Sequence, residues 1–378
     1  MQLPLCLAVA ATCLASVILA HPGEHHDDAL VKRKLNMQEA RATHGNRALA
    51  KCARSQAYRS FRARNIERRE LKALGIRQER GLSDSKFSFS YSYYKTNVHF
   101  RRTSDDMEKW AAVEHNKTGK ITPFGNVFDT ETTCILAPVI TDGPYYVWGE
   151  LIRQNVVEKK YSRGVPMYLE IQYIDVDTCQ PLPDLYVDIW NANATGVYSG
   201  ISESGNYAAA GWNSTYLRGI QPTDSDGVAA FDTIIPGHYS GRATHTHLLV
   251  HTNATILANG TLQINSGSIT HNGQLFYDDA LRSAVEASNP YNTNTIAVTS
   301  NEEDQWLPEQ ATSSYDPFIR YVYLGDDISD GIFAWKEIGI NSTADYTNDS
   351  DYAIAAYLGA NGGYENEGAH AFSGGGSS

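Results

Sequence analysis

The run PGHYSGRATHTHLLVH, residues 236–251, constrains this chain more than any other stretch. Its second half alternates, and in a β-strand residues i and i+2 share a face. His245 and His247 therefore aim two imidazoles at one point, while Thr246, Leu248 and Val250 turn toward apolar packing. An isolated H-x-H pair arises easily by chance. This one stands close to Tyr239 and Arg242.

Upstream lies VDIWNANATGVYSG, residues 187–200, which contains Tyr198. Between the two segments runs YLRGIQPTDSDGVAAFDTIIPGHY, residues 216–239, in which Asp226-Gly227 is a turn signal between two strand-forming runs. Leu185–Trp190, Val228–Ile235 and Thr244–Val250 read as strands of one antiparallel sheet system. Leu169–Asp177 is strand-like, and FIRYVYLGDD (318–327) and IFAWKEIGI (332–340) read as closing strands. Loops beyond the strand ends would present Tyr198 and Tyr239 to a common centre. The expected fold is all-β: an antiparallel β-sandwich core with a helical N-terminal extension and a disordered C-terminal tail.

In this order the motifs GPYYVWGELIR (143–153), DIWNANATGVYSG (188–200), LRGIQPTDSDGVAAFDTIIPGHY (217–239) and RATHTH (242–247) resemble the intradiol ring-cleavage dioxygenases, specifically their secreted fungal branch. The resemblance spans about residues 130–280. It implies a non-haem Fe(III) held by two tyrosinates and two histidines, which by motif are Tyr198, Tyr239, His245 and His247. Phenolate is a hard anionic donor that suits Fe(III), and a tyrosine ionises near neutral pH only where a metal stabilises the anion. The resemblance assigns Tyr239 as the base that leaves the metal when a catechol binds, and Arg242 as the cation facing charge that builds on the ring. Gln263, in TLQIN, matches a polar residue near the O2 site. Tyr145 and Tyr146 are candidate walls of the substrate pocket. The implied partners are a small aromatic diol and O2, and the implied product is a muconate-type diacid.

The chain departs from the family pattern in places. Trp190-Asn191-Ala192-Asn193 stands where the fungal branch often has Trp-His-Cys-Asn, and Ala243-Thr244 where bacterial relatives have Pro-Ala. Neither departure touches the four ligand positions. His251 shares the strand face of His247 but lies about 13 Å farther along at roughly 3.3 Å per residue, which argues against ligation. His238 reads as a loop residue.

Residues 1–20 carry no charged side chain, are largely apolar and end in Ala20, the pattern of a secretory signal peptide. No segment reaches the roughly 18 apolar residues of a membrane span, so no membrane is expected as a partner. Seven N-x-[ST] sequons, at Asn116, Asn193, Asn213, Asn253, Asn259, Asn341 and Asn348, agree with a secreted, extracellular glycoprotein. Removing Cys6 and Cys13 with the leader leaves Cys52, Cys134 and Cys179. A Cys134–Cys179 disulfide is expected in an oxidising compartment, and no C-x-x-C spacing offers a zinc site.

Charge divides the chain. Residues 21–90 carry 16 Lys and Arg against 8 Asp and Glu, whereas the whole chain has a net charge of −12. The expected organisation is a signal peptide (1–20), a basic, partly helical extension (21–125), the β-sandwich domain (126–345) and a Gly/Ser-rich flexible tail (346–378). Leu30, Leu35, Leu49, Phe61, Ile66, Leu71 and Leu74 are spaced among good helix formers. The extension is read as a docked element, a homodimer contact, or a prosegment removed at Lys32-Arg33 or Arg68-Arg69. FSFSYSYYKTNVHF (87–100) alternates like a strand or ordered arm. Nucleic-acid binding fits poorly with secretion and an acidic core. Two other readings compete with the dioxygenase. One is a cupin-type H-x-H metalloprotein, for which His271 is available as a third ligand. The other is a non-catalytic glycosylated β-sandwich that binds through its aromatics.

Overall fold

The computed structural model describes residues 56–82, 105–118, 127–128, 137–140, 143–203, 206–348 and 354–367. The leader, Leu30, Lys32-Arg33, Leu35, Leu49, Cys52, residues 87–100, Cys134 and residues 368–378 lie outside the described residues.

The chain is mostly sheet. Its strands are β1 (Val147–Trp148), β2 (Pro166–Asp175), β3 (Tyr186–Trp190), β4 (Ser202–Glu203), β5 (Asn206–Tyr207), β6 (Arg218–Pro222), β7 (Val228–Ile234), β8 (His245–Thr252), β9 (Ser268–Phe276), β10 (Arg320–Tyr323), β11 (Ile332–Ile340), β12 (Ala356–Gly359) and β13 (Gly362–Glu365). Two four-stranded sheets dominate, one ordered β10-β11-β2-β7 and the other β6-β3-β8-β9. Leu169, Ile171, Phe231 and Ile338 of the first meet Val187, Ile189, Leu248, Val250 and Leu275 of the second in one buried core. This arrangement is consistent with the expected sandwich.

Three expectations need correction. Val228–Ile234 does not join the sheet of β3 and β8 but pairs with β2 in the other sheet. Asp226-Gly227 is therefore a crossing between sheets, not a hairpin, although the turn itself forms: Asp224 accepts from the amides of Asp226 and Val228. The sheets are also not wholly antiparallel, because β11 runs parallel to β2 from Ile332↔Met167 to Ile340↔Asp175. Parallel neighbours need a long connection, and the chain between β2 and β11 supplies one. Finally, part of the expected flexible tail is ordered. β12 and β13 form a hairpin, and β12 pairs parallel with β1. The amide of Ala355 donates to the Tyr146 carbonyl, which anchors the hairpin.

Helix α1 (Gln56–Glu79) docks on the outer face of the β2–β11 sheet. Tyr58, Phe61, Asn65, Arg69, Ala73 and Ile76 are buried, spaced three or four apart on one face, and Arg77 beside Ile76 is buried as well, donating to the Leu324 carbonyl. The middle of that stripe is polar. Asn65 donates to Gln172, and Arg69 bridges Glu170 at 2.6 Å and Glu337 at 3.0 Å. Leu71 and Leu74, expected among the apolar positions, face solvent instead. The docked helix also seals Arg69, so the Arg68-Arg69 processing site is closed while α1 is in place. Cys179 is disulfide-bonded and sits against Tyr58 and Phe61. Its partner lies outside the described residues.

Among the described residues three shorter α-helices follow: α2 (Asp105–Ala111), α3 (Asp279–Glu286) and α4 (Leu307–Gln310). Among the described residues no helix is long and apolar enough to cross a membrane.

Candidate metal centre

β8 places His245 and His247 on one face, as the alternation requires, and their Nε2 atoms stand 3.0 Å apart. His245 Nδ1 lies 2.6 Å from the Ala243 carbonyl. A carbonyl only accepts, so Nδ1 carries a proton, and in the neutral ring this leaves the Nε2 lone pair for a metal. The cross-strand partner of His247 is Trp190, whose ring stacks on the imidazole at 4.8 Å and 7°. That stack fixes the plane of the His247 ring.

The tyrosines arrive on two loops that touch backbone to backbone. Gly196 has φ +83°, and a Cβ there would lie 2.3 Å from the His238 carbonyl oxygen. A Cβ on Gly237 would lie 2.3 Å from the Ala194 carbonyl oxygen. Only glycine permits both approaches. The result is a T-shaped pair of Tyr198 and Tyr239 with centroids 5.4 Å apart. Tyr239 Oη reaches His245 Nε2 at 3.2 Å, and the ring of Tyr198 lies 6.0 Å from that of His247. Asn206 latches the Tyr198 loop, accepting from the Tyr198 amide and donating to the Tyr198 and Ile201 carbonyls. Arg218 ties the loop to its neighbour by donating to the Ser199 and Tyr145 carbonyls.

Burial pushes both phenols above the usual tyrosine value, while the Arg242 charge pulls each back. The Tyr198 hydroxyl is buried and has no partner of normal hydrogen-bond geometry, although the Tyr239 hydroxyl is near enough to favour its anion. A cation among these oxygens would favour both phenolates. Among the described residues no group of three or more His, Cys, Asp and Glu is placed to hold a metal. The groups that stand together here are two imidazoles and two phenols. Hard oxygen with imidazole fits a ferric ion. His271, the third ligand of the cupin reading, instead faces Tyr173 of the opposite sheet, with ring centroids 6.1 Å apart.

The remaining candidates divide. Tyr145 stands against the site, 4.9 Å from Tyr198 and 6.1 Å from Tyr239 between ring centroids. Tyr146 points away, packing on Trp190 and contacting His251 Nε2 through its hydroxyl. Of the two, only Tyr145 therefore borders the site. His238 is a loop anchor between Glu286 and the Ile296 carbonyl. Gln263 is exposed in the β8–β9 connection, and its amide bonds to the Thr255 carbonyl. The glutamine beside Arg242 is Gln274, which accepts from Nη2 at 2.6 Å. Register explains the correction, because Gln274 lies opposite His247 on β9 and so shares its face. Asp304, which the sequence did not flag, grips Arg242 from the other side at 2.8 Å. The signal for Gln274 was its place in HNGQLF at strand spacing; Asp304 has no local signal.

Residues 141–282 match the family model described as Dioxygenase. The motif resemblance therefore holds over this stretch. Solved structures similar to the chain include an intradiol ring-cleavage dioxygenase from Tetranychus urticae, at 27% identity, 58% of this chain, 99% of that one and a TM-score of 0.47. Catechol 1,2-dioxygenase from Acinetobacter sp. ADP1 matches at 19% identity, 54% of this chain, 62% of that one and a TM-score of 0.34. Hydroxyquinol 1,2-dioxygenase from Pseudomonas putida DLL-E4 matches at 17% identity, 56% of this chain, 68% of that one and a TM-score of 0.33. No curated protein matches the chain. All four candidate ligands and Arg242 fall inside the dioxygenase region, whereas Asp304 and the β12–β13 hairpin fall outside it.

Proposed function

We propose that this chain is a secreted, Fe(III)-dependent intradiol dioxygenase that cleaves a small catechol-type diol with O2. The observation supporting this is the convergence of Tyr198, Tyr239, His245 and His247 on one buried point, with a carboxylate-held guanidinium beside it. Bound Fe(III) would supply the Lewis acidity that favours the phenolates and activates the diol toward O2. Tyr239, at 8% exposure the more accessible of the two tyrosines, would take the proton of a substrate hydroxyl at Oη. Tyr198, fully buried, would stay in place. Arg242 would stabilise negative charge that builds on the ring, and Tyr145 would flank the diol. Overall, the bond between the two hydroxyl-bearing carbons breaks, both atoms of O2 enter the product, and a muconate-type diacid results. The leader-like residues 1–20 and the seven sequons support an extracellular, glycosylated product of the secreted branch.

The test is the visible spectrum and iron content of the purified protein, before and after anaerobic addition of catechol. A tyrosinate-to-iron charge-transfer band that shifts with catechol is the expected outcome. A protein that stays colourless and iron-free after iron loading would overturn the reading.

A further inference from the structure

We propose that Asp304 is a positioning residue for this reaction: one buried carboxylate sets the aim of Arg242 toward the substrate and, through Ala243, the orientation of His245. The inference rests on the dioxygenase reading above. Asp304 and Arg242 are both wholly buried. Nε of Arg242 donates to Asp304 Oδ2 at 2.8 Å and Nη2 to Oδ1 at 3.3 Å, a two-point grip that fixes the guanidinium plane. Nη2 also donates to Gln274 at 2.6 Å, so the fork is held from two sides. The same Asp304 Oδ2 accepts from the Ala243 amide at 2.7 Å, and the Ala243 carbonyl accepts from His245 Nδ1 at 2.6 Å. Oδ1 takes the amides of Trp306 and Leu307, which ties the carboxylate to the start of α4. From the end of that helix, Gln310 reaches back to the Gln274 carbonyl. The substrate-facing cation and a metal-facing imidazole thus share one anchor.

Charge balance alone does not require this geometry. A buried arginine could be neutralised by a carboxylate on either side. Stabilising charge that develops on a bound ring requires a donor already aimed, because reorienting it during the reaction forfeits the gain.

The experiment uses the full-length, iron-loaded protein. It compares Asp304→Asn, Asp304→Asn with Gln274→Glu, Arg242→Ala, and Arg242→Ala with Asp304→Asn. Asparagine still accepts from the Trp306 and Leu307 amides but lacks the charge. Melting temperature, KM, kcat per bound iron, and the anaerobic catechol-induced shift of the visible band are read for each. We expect kcat per iron in Asp304→Asn to fall about tenfold or more. Adding Asp304→Asn to Arg242→Ala should cost nothing further, since residues acting as one unit are not additive. Gln274→Glu should restore the melting temperature by returning a carboxylate to Arg242, and leave kcat low. If Asp304→Asn alone does not fold, the Gln274→Glu pair carries the test. Recovery of kcat in that pair, additive losses, or normal kcat in Asp304→Asn beside a crippled Arg242→Ala would overturn the positioning role alone. Normal turnover in Arg242→Ala would remove the charge role of Arg242 in the parent reading, and this inference with it.

Discussion

Each donor at the candidate centre is held by a specific neighbour: Trp190 for His247, Ala243 for His245, Asn206 for the Tyr198 loop. Tyr198→Phe removes the buried phenol and little volume. It is expected to abolish the visible band and the activity, and a fully coloured variant would remove Tyr198 from the ligand set. A second residue-scale expectation concerns pH. Burial between the sheets holds His271 neutral and pulls its pKa down to about 4. Its unfolded value is near 6.5, so the folded state binds fewer protons between the two. His271 therefore supports the fold above pH ~6.5, and that support is lost as pH falls toward 4. The stability of His271→Leu relative to the parent should rise by roughly 3 kcal/mol between pH 7 and pH 4, measured by denaturant titration at each pH. A pH-independent difference would contradict a buried neutral imidazole. The shared face of the two histidines was legible from strand alternation, whereas the two tyrosines became candidates only through the family resemblance. Asp304, Asn206 and Arg218 were not legible. Asp304 meets Arg242 across 62 residues of chain, and no spacing rule spans that gap.

At the level of elements, the strand segments near the site were readable from alternation and turn chemistry, whereas their sheet partners were not. β7 was assigned to the wrong sheet because a turn signal does not reveal whether the chain folds back or crosses over. Helix α1 illustrates a second limit. An apolar pattern selects Leu71 and Leu74, but the buried face carries Asn65 and Arg69, whose partners Gln172, Glu170 and Glu337 lie on strands far along the chain. Removing one member of a buried ion cluster leaves the others uncompensated. Arg69→Ala should destabilise the protein by about 3–5 kcal/mol in denaturant unfolding, whereas the exposed Leu71→Ala should change it by under about 0.5 kcal/mol. Equal effects of the two would mean that α1 does not dock through Arg69.

For the whole molecule, composition and the leader-like start set a clear expectation. Expressed in a eukaryotic secretory host, the protein should be recovered from the medium and lose mass on treatment with an N-glycan-cleaving enzyme. An unchanged mass would remove the glycoprotein proposal. The parallel pairing of β2 with β11 has a different consequence, for synthesis. β2 ends at Asp175 and its neighbour does not begin until Ile332, so most of the chain must be made before that edge is covered. Until then β2 presents unpaired amides and carbonyls, the kind of edge that recruits strands from other molecules. Pairings so distant in sequence also form slowly. A ribosome pausing before residue 332 would thus release a nascent chain with a sticky open edge. Yield in production should therefore depend on translation speed and holding chaperones more than on the stability of the finished fold.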